Sequence, residues 1–420
     1  MTTSTISAPE VTSAAANGPL EGLRILDLSR ILAGPTCTQL LGDMGADVLK
    51  IERPGEGDDT RSWGPPFVSD RDGVATRESA YYLCANRNKR SMALDIADPA
   101  DAAKIRALVR SCDIVIENFK VGGLKKYGLD YESLAAEKPG LVYCSITGFG
   151  QTGPHAAKPG YDLLAQAYGG IMSLTGDPDG EPMKVGVGVA DVVCGLYASN
   201  AILAALRHRD RTGEGQHIDI ALVDAQVAWL VNAGTNYLLS GRLPKRLGNQ
   251  HPNIVPYQVF EVADGHVVVA SGNDRQYRSF CDIIARPDLA AEPRFRTNDA
   301  RIENRDALIE LIAVELKAFT KQALVEAMEA AGVPGGPINT LADVFSSDQV
   351  ESRGMKISVP YPGSQTGEVQ LIGNPIKFSR TPVTYRRAPP TCGQHTLEIL
   401  AEFGLLDEAT QSAVERGRHS

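Results

Sequence analysis

From Leu23 onward, short apolar runs alternate with helical stretches, and this alternation limits the possible folds more than any other feature. Leu23–Leu28 has the length and apolar character of a strand. Ala33-Gly34-Pro35 breaks it, a helical stretch follows over Thr36–Met44, and Gly45 ends that stretch before a second apolar run at Val48–Ile51. Strand, helix and strand at this spacing predict a parallel βαβ unit. The theme recurs with a helix at Ala100–Val109 and strands at Ile114–Glu117, Leu141–Ile146 and Val185–Val189. A long helix is predicted from Val192 to Arg207, then a strand at Gln216–Ala221 and an apolar helix over Ala225–Leu239. The reading is an α/β protein whose large domain is a Rossmann-like parallel sheet.

The texture changes near Gly241. Arg242–Pro256 is polar and rich in turn residues, and short strands at Gln258–Val262 and His266–Ala270 lead into helices near Tyr277–Ile284, Asp306–Phe319 and Lys321–Ala331. This predicts a linker and smaller α+β domain over 226–340, after a large domain over 20–225. Residues 341–420, with a strand near Val369–Leu371 and a helix at His395–Phe403, are read as returning to the large domain. Residues 1–19, rich in Ser, Thr and Ala without an apolar core, read as a disordered tail and not as a secretory or transit signal.

Composition narrows the function. Fifty-one acidic residues against 42 basic give a net charge of −9, which disfavours a nucleic-acid surface. No unbroken apolar stretch reaches the ~20 residues of a membrane span. The seven cysteines (37, 84, 112, 144, 194, 281 and 392) stand singly and never as C-x-x-C. That pattern suits thiols of a reducing, cytoplasmic setting, and neither a disulfide frame nor a zinc site. The dispersed histidines give no reason to expect any metal.

Gly148-Phe149-Gly150-Gln151-Thr152-Gly153 is a literal G-x-G-x-x-G, but Pro154 and Pro159 oppose the helix that a dinucleotide fingerprint requires. A glycine turn lining another ligand fits better. There is no Walker A loop and no G-x-S-x-G, so neither a P-loop nucleotidase nor a serine hydrolase is expected. Gly186-Val187-Gly188-Val189-Ala190-Asp191 places a carboxylate where a strand is predicted to meet a helix. Asp191 reads either as a helix N-cap or as an ionised, sterically open nucleophile favoured by the helix N-terminus. Among Lys50, Arg53, Arg61, Arg87, Lys89, Arg90, Lys120, Lys125 and Lys126, which singly read as surface residues, several fall in runs expected at strand ends (50–53, 86–90 and 117–120), where parallel sheets bind ligands. Cations gathered there in an acidic protein imply a phosphorylated ligand, with Phe119 offering a flat surface for a base. His251 sits in a glycine-flanked loop and is read as structural more readily than catalytic.

Taken together, Leu20–Leu28, Leu32–Pro35, Gly45–Pro54, Asn86–Ser91, Glu117–Phe119, Gly148–Pro154, Gly160–Asp162 and Val189–Asp191 resemble the class III (CaiB/BaiF-type) coenzyme A transferases. The resemblance covers about Leu20 to Leu406. It implies an interlocked homodimer, a coenzyme A thioester as substrate, no tightly bound cofactor, and Asp191 as nucleophile. It implies that Arg53, Arg87, Asn88, Lys89, Arg90, Asn118, Phe119 and Lys126 line the coenzyme A site, and that Gly248 and Asn249 stabilise oxyanions. Within the family, Gly57–Phe67 and Ile254–Phe260 are similar to succinyl-CoA:dicarboxylate transferases of the glutarate, hydroxymethylglutarate, malate, citramalate, itaconate and mesaconate types. Leu32 stands where formyl-CoA transferases carry Gln, which argues against oxalate or formate. Tyr161 stands where the 2-methylacyl-CoA racemases of the family carry His. Tyrosine, with a pKa near 10, is a poor base at neutral pH, so the racemase alternative is disfavoured. A non-catalytic coenzyme A binder is the remaining alternative. Arg30, in the first βα turn, is the candidate partner for a distal carboxylate.

Overall fold

The computed structural model describes residues 18–415, so the expected tail, apart from Gly18 and Pro19, lies outside the described residues. In chain order the first strands are β1 (Arg24–Asp27), β2 (Asp47–Glu52), β3 (Phe67–Ser69) and β4 (Ala75–Ser79). They are followed by β5 (Lys89–Ala93), β6 (Ile114–Glu117), β7 (Val142–Thr147) and β8 (Gln216–Ala221). Six of them form one parallel sheet in the order β5-β2-β1-β6-β7-β8, while β3 and β4 pair as a hairpin outside it. The chain winds outward from β1 to β2 and β5, then returns beside β1 with β6 and winds the other way. The connections diverge between β1 and β6, and a crevice at their carboxyl ends is the geometric consequence.

Both sheet faces are covered, which explains why the strands read as continuous apolar runs. Ile25, Val48, Ile114 and Cys144 point to one face, against the helices Ala33–Asp43 and Val189–Thr212. Leu26, Leu49, Val115 and Tyr143 point to the other, against the helices Pro99–Val109 and Thr396–Glu402. The helix Val189–Thr212 is long and apolar enough by composition to cross a membrane. Here its Ala190, Cys194, Ala198 and Ile202 are spent on the sheet's core. Gly195 lets this helix approach its neighbour, since a Cβ there would stand 2.6 Å from the Ala33 carbonyl oxygen.

The described residues divide into two compact units, one of residues 18–169, 186–229 and 353–415, the other of 170–185 and 230–352. The second therefore also takes in a segment, 170–185, that the sequence reading had left in the large domain. Its antiparallel sheet joins β9 (Tyr257–Val262), β10 (Gly265–Ala270) and β11 (Gly335–Pro337) in the order β11-β10-β9. Helices pack on that sheet through Phe280, Ile312 and Leu324. In the first unit, β12 (Lys356–Pro360) and β13 (Glu368–Ile372) form a further hairpin.

Three expectations need correction. Residues 185–188 form no strand, and Val189 already opens the helix Val189–Thr212. The predicted helix Ala225–Leu239 is two helices, Leu222–Ala228 and Val231–Ser240, separated where Val231 takes φ 38°. The run Asn86–Arg90 opens β5 instead of closing a strand, so its cations begin at the edge opposite the crevice.

Those cations build the interior instead. Lys89 Nζ lies 3.1 Å from Asp27 Oδ2, and Lys50 Nζ lies 2.9 Å from Asp58 Oδ2; all four side chains are sealed from water. Burial pushes the Asp27 carboxyl up, but Lys89, Lys50, Ser29 and Thr38 outweigh it and hold the group at about 2. Removing one partner of such a pair strands the other charge in the core. Lys50→Met is expected to destabilise the protein by about 3–5 kcal/mol, read as a lower urea midpoint at neutral pH; an unchanged midpoint would contradict the pairing.

Candidate active site

The crevice between β1 and β6 opens into a cleft of about 450 Å³. Its walls are the loop after β1, the turn after β6, the loop after β7 and the first turn of the helix Val189–Thr212. It brings together Asp191, Arg30, Leu32, Asn118, Phe119, Lys120, Lys126 and Tyr161 from the sequence reading, and adds Lys158. A neighbouring cavity of about 280 Å³ shares Arg30 and Phe119 and contains Arg53.

Glycine pairing shapes the cleft wall. Gly148 and Gly160 lie back to back, so that a Cβ on Gly160 would fall 2.1 Å from the Gly148 Cα. The G-x-G-x-x-G after β7 therefore serves a crossing of two backbone segments, and no helix begins there. Holding Gly160 against Gly148 aims the next two residues: Tyr161 stays 60% exposed on the rim, while Asp162 turns toward the helix bearing Asp191.

Asp191 is not the helix cap. Gly188 occupies that position without a side-chain bond, and the carboxylate of Asp162 supplies the cap from another element. Its Oδ1 accepts the Ala190 N–H at 2.8 Å and its Oδ2 accepts from Gln166 Nε2 at 2.7 Å. Asp191 is only 8% exposed and forms no ion pair among the described residues. Burial, and then the charge of Asp162, raise its carboxyl to about 7. This corrects the expectation of a fully ionised group, because a helix N-terminus offers about 0.3–1 kcal/mol, too little against burial beside another carboxylate. Tyr81 was absent from the sequence reading, yet burial and the charge of Asp191 raise its hydroxyl to about 12. Its ring meets Trp63 edge-on at 5.1 Å.

The upper wall is knitted by side chains. Arg30 N–H donates to Asn118 Oδ1 at 2.9 Å, and Asn118 Nδ2 donates back to the Arg30 carbonyl at 2.7 Å. The Arg30 guanidinium sits 5.7 Å from the Phe119 ring centre and pairs with Asp59 at 2.7 Å. Ile31, at φ 72°, turns its N–H toward the Asp58 carboxylate.

Four expected ligand-lining residues take internal partners. Arg87 forks onto Asp43, and Asn88 donates to Asp43 Oδ1 and the Thr384 carbonyl. Lys89 is held by Asp27, Pro35 and Asn86, and Arg90 by Asp47 and Glu402. None of the four lines the cleft that holds Asp191. Arg61 is likewise buried between Glu52 and Glu78. The Arg53 side chain is largely exposed and pairs with Glu56 at 2.9 Å.

Gly248, Asn249 and His251 belong to the second unit. Gly248, at φ 57°, donates its N–H to the Gly176 carbonyl. His251 Nδ1 accepts the Asn253 N–H at 3.1 Å, and burial followed by the charge of Arg305 lowers the basicity of its ring.

The chain is thus an α/β protein with a crevice at a topological switch point, the place where open parallel sheets bind ligands, and that crevice holds a buried carboxyl among cations. CoA-transferase family III matches residues 20–396, and the chain belongs to that family. It is 49% identical over 390 residues to the succinate–glutarate CoA-transferase of Agrobacterium fabrum, covering 93% of this chain and 96% of that one. It is 43% identical to the human succinyl-CoA:glutarate CoA-transferase, covering 93% and 87%. Among solved structures, a CaiB/BaiF family protein from Brucella suis superposes with a TM-score of 0.82 at 48% identity, covering 92% of this chain and 100% of that one.

A carboxyl held above its ordinary range stabilises the fold when protonated, and that contribution is lost as pH rises from about 4 to about 7. Asp191→Asn, which stays neutral, is expected to melt above the parent at pH 8, with the gap closing at pH 5. Equal melting temperatures at both pH values would show that Asp191 is not buried at a cost.

Proposed function

We propose that this chain transfers coenzyme A from succinyl-CoA to a small mono- or dicarboxylic acid, with Asp191 as the nucleophile. The observation that carries the reading is the position of Asp191: a buried carboxyl without a cationic partner among the described residues, inside a cleft rimmed by Arg30, Lys120, Lys126 and Lys158. The cations suit the phosphates of coenzyme A. The similarity to the succinyl-CoA:glutarate transferases supports a succinyl donor. Arg30 is the group proposed to meet the donor's distal carboxylate, displacing Asp59.

In the reaction, ionised Asp191 attacks the thioester carbonyl and its oxygen–carbon bond replaces the sulfur–carbon bond. The coenzyme A thiolate leaves, and an acyl-aspartyl anhydride remains. The thiolate then attacks the aspartyl carbonyl, releasing succinate and leaving an aspartyl-CoA thioester. An acceptor carboxylate attacks that thioester and expels the thiolate, which takes the acceptor's acyl group and frees Asp191. No net proton, electron or phosphate is consumed, and each step exchanges acyl groups of similar reactivity. Exclusion of water protects the anhydride, and the burial of Asp191 serves that end.

We also propose a homodimer. The helix Val231–Ser240 has no buried residue, and Leu238, Leu239 and Leu243 are each at least 80% exposed. Apolar side chains exposed together in this way favour cover by a second copy. Seven free cysteines, five of them buried, support a reducing, cytoplasmic setting.

Incubating the protein with succinyl-CoA and a panel of acids is expected to yield new thioesters by mass. Asp191→Ala should abolish them while retaining coenzyme A binding, and turnover by that variant would remove Asp191 from the mechanism. Sedimentation should show twice the chain mass for the parent and a shift toward monomer for Leu238→Glu/Leu239→Glu; a monomeric parent would refute the dimer.

A further inference from the structure

Behind the Asn118–Phe119 wall, three adjacent strands line up a second polar row. Glu117 closes β6 opposite Ser145 of β7, and His217 of β8 lies opposite Tyr143, two residues before Ser145 and therefore on the same face. Ser145 Oγ is 2.9 Å from His217 Nε2, and Ser145 stands in register beside Glu117 on the next strand. Glu117 Oε2 accepts the Phe119 N–H at 2.7 Å. The row is held rigidly: Tyr131 stacks on the His217 ring at 5.0 Å, Tyr143 meets that ring edge-on, and the Tyr143 hydroxyl donates to the Leu129 carbonyl.

Glu117 is 6% exposed and has no ion pair among the described residues. Burial raises its carboxyl to about 7, against the pull of Ser145 and the Phe119 N–H. A buried carboxyl without a cation costs stability, so the fold alone gives little reason for one here. Its bond partner suggests the reason. Phe119 lines both the Asp191 cleft and the neighbouring cavity, and Asn118 clamps the backbone of Arg30. The turn that Glu117 holds is thus the shared wall of the two cavities.

We propose that Glu117 is a positioning residue for coenzyme A binding: by accepting the Phe119 N–H it sets the Asn118–Phe119 turn, and through Asn118 the Arg30 loop. Ser145 and His217 orient the carboxyl from behind. The inference rests on the coenzyme A reading of the cleft. It goes further in assigning the affinity to a residue outside the cleft, which touches no substrate.

Calorimetric titration with coenzyme A and steady-state kinetics test it together. Glu117→Ala is expected to weaken coenzyme A binding by roughly 10-fold or more, the size of one lost hydrogen bond to a charged group. KM for the acyl-CoA should rise by a similar factor, with kcat changed by less than about threefold, because Asp191 is untouched. Glu117→Gln keeps an acceptor at the same reach and should bind like the parent. Glu117→Asp keeps the charge but withdraws it by one methylene, and should weaken binding as Ala does even if the Ala variant folds poorly. Parental affinity in both Asp and Ala variants, failure of Gln to restore it, or a loss confined to kcat would each overturn the inference while the coenzyme A reading stands. A parent that binds no coenzyme A would remove that reading and this inference with it.

Discussion

The structure depends on a set of charges that never meet water. Asp27 and Lys89, and Lys50 and Asp58, tie β1, β2 and β5 to the segment around residue 58. Lys50 also donates to the Ser29 carbonyl, while Asp58 accepts the Ile31 N–H. The loop after β1, which carries Arg30 and Leu32 into the cleft, is thereby fastened from below. Each charge here is expensive to bury and strongly destabilising to unpair, so the network favours one arrangement of these loops over its neighbours.

The cleft uses the opposite electrostatic arrangement. Its cations stand at the rim, and the carboxyl that matters lies inward without one of them as a partner. Asp162, which caps the helix, sits near enough to raise Asp191 further. A carboxylate poised near neutrality is also a more basic nucleophile than an ordinary aspartate, at the cost of being half protonated there. Glu117 repeats the pattern one strand away, again buried and again without a cation. In both places a costly group sits beside the cleft and not in the general core, which is where perturbed groups carry information about function.

The βαβ rhythm was legible because it is written in local pattern. Ile114–Glu117 and Gln216–Ala221 emerge at the expected residues, and the helices Pro99–Val109 and Lys321–Ala330 differ from expectation by a residue at one end. The failures share a cause. Val185–Val189 has strand composition, but β propensity depends on context, and Val189 is taken up by the first turn of the helix Val189–Thr212. The basic run Asn86–Arg90 looks like a ligand site until its acidic partners arrive from Asp43, Asp47 and Glu402, the last more than 300 residues away.

The sequence by itself determined the fold class and the family, because apolar period and ordered short motifs are properties of neighbouring residues. Which cations line the cleft and which stabilise the interior was decided only by the tertiary structure. So were the protonation of Asp191, the cap supplied by Asp162 and the Glu117 row. Burial and charge pairing depend on distances in space between segments far apart in the chain, and no local pattern records those distances.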